Sequence, residues 1–561
     1  MEERKTYFIF SIILICTLLI GGRLYYIQIQ NGDYWRAIAQ GQQKRIDESV
    51  GDRGNFFLEN GNLALSENID KWIVYVFPEK IEDKEETADL LSEVFNQPSE
   101  KILEALNQGA TIKEEVAEAG FQKINQANDG QGIKGVYPDK IKKRYYPQGE
   151  FAASLIGFVN DEGSGQYGLE GYHDNLLKGL KGLKEEETSP FGYSALLGNN
   201  DSYKEPKEGA DIFLTIDNNI QFMAEKALAE AKEEWDIDSG QIIVSDPNTG
   251  KILALADFPS FDPNQYKIKD NLDLFRNRAT QKLFEPGSVF KPITMAGALD
   301  MDLITPETTY VDEGSVNLGG PPIYNYQQRV WGEQTMTQVL ENSINTGSVF
   351  VQQELGNKNF LNFLEKFGLF EKTGIDLQGE EFSYNENLRN GYPRDFATAS
   401  FGQGIEITPI QLIRAFGAIA NGGSLMRPYV VEKISKNGEE KIIEPEVQEI
   451  VISEKTSAKL SSMLVNVIEN RYAKRAKIEG YYIAGKTGTA QIPRPEGGYF
   501  EDKTIQSFIG YFPAMNPQAL VLVKLDNPKD VSTAEYSAAP TFHKIAKYII
   551  DYWQILPDYQ G

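Results

Sequence analysis

The stretch LFEPGSVFKPIT, Leu283–Thr294, places a serine three residues ahead of a lysine, directly after Pro-Gly. Three residues of α-helix rise ~4.5 Å and turn through most of a circle, so Ser288 and Lys291 share a face if this segment is helical. A serine hydroxyl is a weak nucleophile at neutral pH and needs a neighbouring base. A lysine can serve when burial and nearby positive charge lower its pKa. A helix N-terminus also favours negative charge developing on Ser288. The same spacing suits the first turn of an ordinary core helix. The rest of the chain has to separate the two readings.

At 561 residues the chain is too long for one ordinary domain, and two or three cores are expected. It is 41% hydrophobic and 24% charged, a globular composition. A net charge of −25 argues against nucleic acid as a partner, because that affinity comes largely from Lys and Arg on phosphates. Cys16 is the single cysteine, so no intramolecular disulfide can form. The two histidines, His173 and His543, lie far apart and outside any motif. A His-dependent triad and a His-rich metal site are therefore not expected, and acyl-transfer chemistry would need another base.

After MEERK comes TYFIFSIILICTLLIGGRLYYIQIQ, uncharged and mostly apolar from Tyr7 to Gly22. A membrane span needs ~20 such residues, and this run reaches that length if Arg23 snorkels. A cleaved signal peptide is the rival. No small-x-small site precedes a clean break and GRLYYIQIQ continues amphipathically, so an uncleaved signal anchor is expected. Arg4 and Lys5 favour a cytoplasmic N-terminus, which puts the body of the protein outside the cytoplasmic membrane.

Beyond the anchor, DRGNFFLENGNLALS, residues 52–66, reads as short strands around an Asn-Gly turn. Residues 81–126 turn helical, with one helix carrying Leu90, Leu91, Val94 and Phe95 and a second starting at a Ser99 cap and stopping at Gly109. A polar run from Lys184 to Pro206 looks extended or linking, and a new domain opens near Gly209. There ADIFLTID reads as a strand, and Ile220, Met223, Ala224, Ala227, Leu228 and Ala231 form one helical stripe. GQIIVSDPNTGKILALADF reads as a hairpin turning at Asn248-Thr249-Gly250. SFIGYFPAM and ALVLVKLD read as strands near the other end, followed by a helical stripe through Phe542, Ile545, Ala546, Ile549, Ile550 and Trp553. A central antiparallel sheet built from both ends of this domain would bury both stripes.

Two more short patterns could join Ser288 and Lys291. Five Ser-x-Asn triplets occur, at Ser66, Ser315, Ser343, Ser383 and Ser435, and most are turn residues in loops. Ser343-Ile344-Asn345 stands apart as a polar corner between two apolar helical patterns, well placed to line a cleft; a plain helix-loop-helix corner is the alternative. Lys-Thr-Gly occurs twice. Lys372-Thr373-Gly374 follows a helix and reads as a connection. Lys486-Thr487-Gly488 follows the apolar run Tyr481 to Ala484, where a strand would present alternate side chains to a site beside it. Gly485 and Gly488 remove side-chain bulk where a substrate backbone could pair with the strand edge.

The trio of Ser-x-x-Lys at Ser288, Ser-x-Asn at Ser343 and Lys-Thr-Gly at Lys486, in that order, resembles the penicillin-binding proteins and serine β-lactamases. FEPGSVFKP, SFGQGIEITPIQLIRAFGAIANGG and AGKTGTAQ are similar to the transpeptidase domain of class B penicillin-binding proteins. DRGNFFLENGNLALS and RYYPQGEFAASLIGFV with GLEGYHDNLLKG resemble their N-terminal pedestal, and GRLYYIQIQ the end of their anchor. The cell-division transpeptidases are the subgroup that the chain most resembles.

The resemblance implies an α/β (α+β) fold: a stub and single transmembrane helix over residues 1–30, an elongated mixed pedestal over 31–206, and a transpeptidase domain over 207–561. That last domain would have a central antiparallel sheet flanked by helices, as in serine β-lactamases. Ser288 would attack the D-Ala–D-Ala peptide of a stem pentapeptide, with Lys291 as proton acceptor. Ser343 would relay a proton to the leaving amine, and Asn345 would hold the substrate amide and Lys291. Lys486 would keep the proton of Lys291 labile, and Thr487 would bind the terminal carboxylate beside Gly488. The N–H groups of Ser288 and Thr489 would form the oxyanion hole, each donor worth ~3 kcal/mol. No cofactor or metal is implied. The implied partners are peptidoglycan stem peptides, β-lactams, a polytopic membrane glycan polymerase and other divisome proteins, at the cytoplasmic membrane of a bacterium. Ile344 stands where the division subgroup commonly has Ser or Cys, and it is left out of the site. An elongation- or sporulation-type transpeptidase and a non-catalytic divisome scaffold are the competing readings.

Overall fold

The computed structural model describes residues 2–26, 44–58, 63–127, 132–187, 203–268, 271–389, 391–470, 473–494 and 497–559. Two compact units divide the chain, one of residues 1–53 and 178–209, the other of residues 54–177 and 210–561. The first contains the N-terminal helix Glu2–Tyr25 and a three-stranded sheet in which Lys181–Glu187 pairs with both Lys44–Val50 and Tyr203–Lys204. Among the described residues no helix is long and apolar enough to cross a membrane. The middle of the polar stretch 184–206 lies outside the described residues.

In the second unit, residues 67–145 build a small layer of their own. Glu67–Val76 pairs antiparallel with Ile112–Val116 and Val136–Tyr145. Helices Lys84–Phe95, Ser99–Asn107 and Glu118–Gln126 close a separate core around Val74, Leu91, Ile102, Leu106 and Ile124. Ser99 is not the cap expected of it. Pro98 holds the N-cap position without a side-chain bond, and the Ser99 hydroxyl donates to Asp89 Oδ1 at 2.6 Å instead. Around residues 52–66, Phe56–Phe57 is a strand and Phe57 bridges Ala64, while the Asn60-Gly61 turn lies outside the described residues.

The central sheet has five antiparallel strands, in chain order β1 (Ser239–Ser245), β2 (Ile252–Phe258), β3 (Ala484–Pro493), β4 (Tyr499–Phe512) and β5 (Ala519–Asp526). Across the sheet they run β2-β1-β5-β4-β3, so the first hairpin and the last three strands interlock through the pairing of β1 with β5. Every residue of β1 and of β5 is buried, which matches their apolar centres, Ile242–Val244 and Ala519–Val523, and requires cover on both faces. Alternation assigns the faces. Phe508 and Phe512 point at Phe542 of the last helix, Ala538–Trp553, beside which Asn218–Trp235 packs. Tyr511 points the other way, toward Phe416 of Pro409–Ala420 and the Ser461 hydroxyl of Glu454–Asn470. Both stripes seen in the sequence are buried, with Met223 and Trp553 at the rim and Gln221 inside donating to Leu255 O at 3.1 Å.

ADIFLTID departs from expectation. Its strand, Asp211–Leu214, joins a separate four-stranded sheet, antiparallel to Val431–Lys436 and parallel to Phe56–Phe57. One polar row crosses the buried face of the central sheet: Gly488, Ser507, Lys524, Gln241 and Asp257 stand opposite one another on successive strands. Lys524 is satisfied within it by Gln241 Oε1 at 2.9 Å and Asp526 Oδ1 at 2.6 Å.

Candidate active site

Ser288 lies on a single 3-10 turn, Gly287–Phe290, and the α-helix Lys291–Asp300 begins only at Lys291. A 3-10 turn has about three residues per turn and eclipses positions i and i+3, which puts the two side chains one above the other. Gly287 makes the turn possible. Its φ is +62°, a left-handed value, and its N–H donates to Gly402 O at 2.9 Å. A Cβ at Gly402 would lie 2.2 Å from Gly287 O, so the SFGQG loop can approach this turn only as glycine. Ser288 is partly exposed, whereas the helix after it is buried from Lys291 to Leu299.

Lys291 enters the core with its charge accounted for by oxygens. Its Nζ donates to Ser343 O at 2.6 Å, to Asn345 Oδ1 at 2.9 Å and to Ser343 Oγ at 3.2 Å. The corner that offers these oxygens joins the helices Met336–Glu341 and Asn345–Leu355. Ser343 sits at φ +54°, a left-handed conformation costing a non-glycine residue about 1 kcal/mol or more. That bend turns both its carbonyl and its hydroxyl toward Lys291. Ile344 points into the core at 1% exposure, which explains its apolar character and keeps it out of the site.

Lys486 completes the group from β3. Its Nζ donates to Ser343 Oγ at 3.1 Å and to Thr487 O at 3.0 Å. Burial alone pulls it down to about 7. Burial pushes Lys291 well below the usual lysine range, and the charge of Lys486 pushes it further the same way. Each effect disfavours the ammonium of Lys291. Lys291 thus feels both burial and a neighbouring cation, whereas Lys486 is lowered by burial. Ser343 Oγ has two lone pairs and one proton. With a lysine donating to each lone pair, its capacity to accept is filled.

β3 is an edge strand, paired with β4 alone among the described residues. Along it Lys486 and Gly488 are buried while Thr487 and Thr489 are partly exposed. A Cβ on Gly488 would lie 2.6 Å from Ser507 Oγ, 2.9 Å from Val289 Cγ1 and 3.1 Å from Pro286 O. Glycine there lets the strand lie against the turn that bears Ser288. Thr489 is tied from behind, its Oγ1 accepting from Ala534 N–H at 3.2 Å. Beside the turn opens a cavity of about 640 Å³, lined among others by Glu285, Phe382, Tyr384, Glu406 and Pro493. Glu285 is anchored in its wall by Gly404 N–H at 3.1 Å and Tyr499 Oη at 3.0 Å.

The structure thus brings Lys291, Ser343, Asn345 and Lys486 into one hydrogen-bonded group, with Ser288 one 3-10 turn before Lys291 and Thr487, Gly488 and Thr489 along the adjoining edge. Of the duplicate motifs, the first Lys-Thr-Gly and the serines Ser66 and Ser383 lie outside strands, whereas Ser315 and Ser435 lie in the strands Ser315–Val316 and Val431–Lys436. The carboxylate of Glu380 accepts from Thr373 N–H and hydroxyl, both at 2.6 Å, and from Gly374 N–H at 3.1 Å, so the first Lys-Thr-Gly wraps a buried acid. Ser66 accepts from Phe56 N–H, and Ser383 accepts from Asn385 N–H within a local turn. One contributor was missed in the sequence. Tyr324 O accepts from Asn345 Nδ2 at 3.0 Å and so aims Asn345 Oδ1 at Lys291. A backbone carbonyl carries no side-chain signature, and nothing in the sequence could have found it.

A serine above one buried lysine, a second serine shared by two lysines, and an open sheet edge alongside define a serine-type acyltransferase. The chain belongs to the penicillin-binding proteins: the family described as penicillin binding protein transpeptidase domain matches residues 240–547, and the penicillin-binding protein dimerisation domain matches residues 48–214. It is a class B member, a serine-type peptidoglycan D,D-transpeptidase. Stage V sporulation protein D of Bacillus subtilis is 33% identical over 533 residues, spanning 94% of this chain and 82% of that protein. Penicillin-binding protein PbpB of Mycobacterium tuberculosis is 28% identical over 569 residues, spanning 96% of this chain and 84% of that one. The crystal structure of penicillin-binding protein 3 from Mycobacterium tuberculosis, complexed with aztreonam, superposes with a TM-score of 0.71 at 25% identity, covering 91% of this chain and 98% of that chain.

Proposed function

We propose that Ser288 forms the acyl-enzyme. Its Oγ attacks the carbonyl of the D-Ala–D-Ala bond in a stem peptide, the Oγ–C bond forms, and the hydroxyl proton passes to neutral Lys291 Nζ. The C–N bond then breaks, and the departing D-alanine amine takes a proton through Ser343 Oγ. An amine of a neighbouring stem peptide attacks the ester, restores the Ser288 hydroxyl and leaves a cross-link. Asn345 and Thr487 bind substrate, the edge of β3 with Gly488 receives its backbone, and the N–H groups of Ser288 and Thr489 hold the oxyanion. The single observation that carries this reading is Ser343 Oγ accepting from Lys291 at 3.2 Å and from Lys486 at 3.1 Å. Labelling with a fluorescent penicillin tests it: a covalent adduct on the wild type that is lost in Ser288→Ala is expected, and an adduct surviving that change overturns it.

β-Lactams acylate the same hydroxyl, a reading supported by the aztreonam complex of the mycobacterial neighbour. The pathway we propose is septal wall synthesis beside a membrane glycan polymerase and other divisome proteins. The chain would have a cytoplasmic stub and single-pass anchor over residues 1–30, a pedestal over 31–206 and a transpeptidase domain over 207–561 outside the cytoplasmic membrane. The 33% identity to a stage V sporulation protein favours a second reading, synthesis of the spore wall. A fluorescent fusion followed through growth and sporulation separates them: septal bands in vegetative cells support division, and signal confined to the developing spore supports the alternative.

A further inference from the structure

Asn345 orients Lys291, yet the helix that Asn345 opens has no cap of its own. Its N-cap residue is Ile344, whose side chain cannot accept a hydrogen bond. The first N–H groups of a helix need acceptors from elsewhere. Here one comes from a distant loop: Asn325 Oδ1 accepts from Thr346 N–H at 3.1 Å. The preceding residue of that loop, Tyr324, supplies the carbonyl on Asn345 Nδ2. Two consecutive residues, Tyr324 at the end of the strand Ile323–Tyr324 and Asn325 just after it, therefore grip two consecutive helix residues.

What holds the loop is Asp312, 2% exposed at the end of the strand Thr309–Asp312. Its Oδ1 accepts from Thr346 Oγ1 at 2.6 Å, Gly314 N–H at 3.0 Å and Asn325 Nδ2 at 3.0 Å. Its Oδ2 accepts from Trp331 N–H at 2.8 Å and Asn325 Nδ2 at 2.9 Å. The pull on Nδ2 fixes which way the Asn325 amide faces, and so leaves its Oδ1 for the helix. A carboxylate near a helix N-terminus is also favoured by the helix dipole. Asp312, Asn325 and Thr346 are all nearly inaccessible, and none was singled out by the sequence motifs.

We infer that Asp312 is a positioning residue for the transpeptidase reaction: acting through Asn325 and Tyr324, it sets the Asn345 amide that accepts from Lys291. It makes no contact with the nucleophile or with Lys291 itself. This inference rests on the reading of Ser288 as nucleophile and Lys291 as its base, and the experiment keeps the two separate.

The test uses the full chain, a fluorescent penicillin and its labelling rate against pH, with thermal unfolding measured in parallel. Asp312→Asn replaces an acceptor of four donor groups by a group that itself donates. If the Asn345 oxygen drifts from Lys291, the ammonium loses an acceptor and its pKa falls further. The labelling rate is then expected to drop about tenfold or more, as displaced catalytic geometry commonly brings, and the acid limb of the pH profile to move to lower pH. Thr346→Val removes one donor at nearly constant shape and is expected to move the profile the same way by less. Thr346→Ser, which keeps the hydroxyl, should restore it. These two also keep the test decisive should Asp312→Asn not fold. A lowered Tm with unchanged profile and rate in Asp312→Asn and Thr346→Val overturns the positioning role. A wild type that fails to label at Ser288 overturns the acyl-enzyme reading instead.

Discussion

Lys291 and Lys486 share one acceptor, Ser343 Oγ, at 3.2 and 3.1 Å, although they come from strands of sequence almost two hundred residues apart. Burial disfavours each ammonium, and the charge of Lys486 disfavours that of Lys291 further. The hydroxyl of Ser343 thus links two amines whose protons burial has made more labile. That is the property a reaction needs when it first removes a proton from a serine and then delivers one to a leaving amine.

Removing the distal charge should show in the pH profile. Lys291 is depressed by burial first and by Lys486 second. In Lys486→Met the second cause is gone, so the Lys291 pKa rises partway toward its ordinary value. The base is then neutral only at higher pH. The acid limb of penicillin labelling is expected to move to higher pH, with a lower rate at pH 7.

Ser343→Ala leaves two buried amines with one acceptor fewer each. An unsatisfied buried donor costs about 1–3 kcal/mol, so the Tm should fall. The loss of proton relay is expected to slow transpeptidation of a stem-peptide substrate by about a hundredfold or more. Turnover on the peptide and thermal unfolding check the two effects independently.

Two glycine-to-alanine changes should move in opposite directions. At Gly488 a methyl group would press on Ser507 Oγ at 2.6 Å and Pro286 O at 3.1 Å, forcing β3 off the Ser288 turn. Overpacking of this kind costs about 1–3 kcal/mol, and labelling should be nearly abolished. At Gly417, inside Pro409–Ala420, the nearest atom to the new Cβ is Leu520 Cδ2 at 3.9 Å. Alanine there is expected to stabilise the helix by about 0.5–1 kcal/mol and leave labelling unchanged. Thermal melts of both variants beside labelling gels give the answer.

The fold should also carry an acid sensitivity at His173. Burial lowers its pKa to about 4 from 6.5, so the unfolded chain binds the proton first. Stability from this residue is complete above pH 6.5 and is lost as pH falls from 6.5 toward 4, on the order of 2–3 kcal/mol in all. Asp257, raised by burial to about 6, acts in the opposite sense, its stabilising protonation being lost as pH rises from 3.8 toward 6. The difference between wild type and His173→Phe isolates the histidine: the variant should lose less Tm between pH 6.5 and pH 4.5.

The parts of this structure that could be read from sequence are those set by local periodicity and by unbroken apolar runs. The stripes through Ile220 and Phe542 and the strands around Ile242 and Val521 follow directly from what each side chain must bury. The spacing of Ser288 and Lys291 was visible too, but the choice of a 3-10 turn over an α-helical one depends on Gly402 approaching Gly287 from more than a hundred residues away. Asp211–Leu214 was recognisable as a strand, whereas its partners Val431–Lys436 and Phe56–Phe57 are distant pairings without local signature. The left-handed bend at Ser343 was hidden for a different reason. Serine seldom prefers that conformation, and its surroundings impose it.

The interlocking of the central sheet has a consequence for synthesis of the chain. Ser288 and Lys291 are made early, between the first hairpin and the rest of the sheet, but Lys486 and the strand that lies against the Ser288 turn come some two hundred residues later. β3 reaches the sheet only through β4 and β5, and β5 in turn is the strand that holds the first hairpin. A growing chain therefore carries its serine without the neighbours that sharpen it until nearly all of it has been made. Nascent or prematurely terminated chains ending before Ala484 should be inert to penicillin, so unfinished copies neither attack wall peptides nor consume the drug.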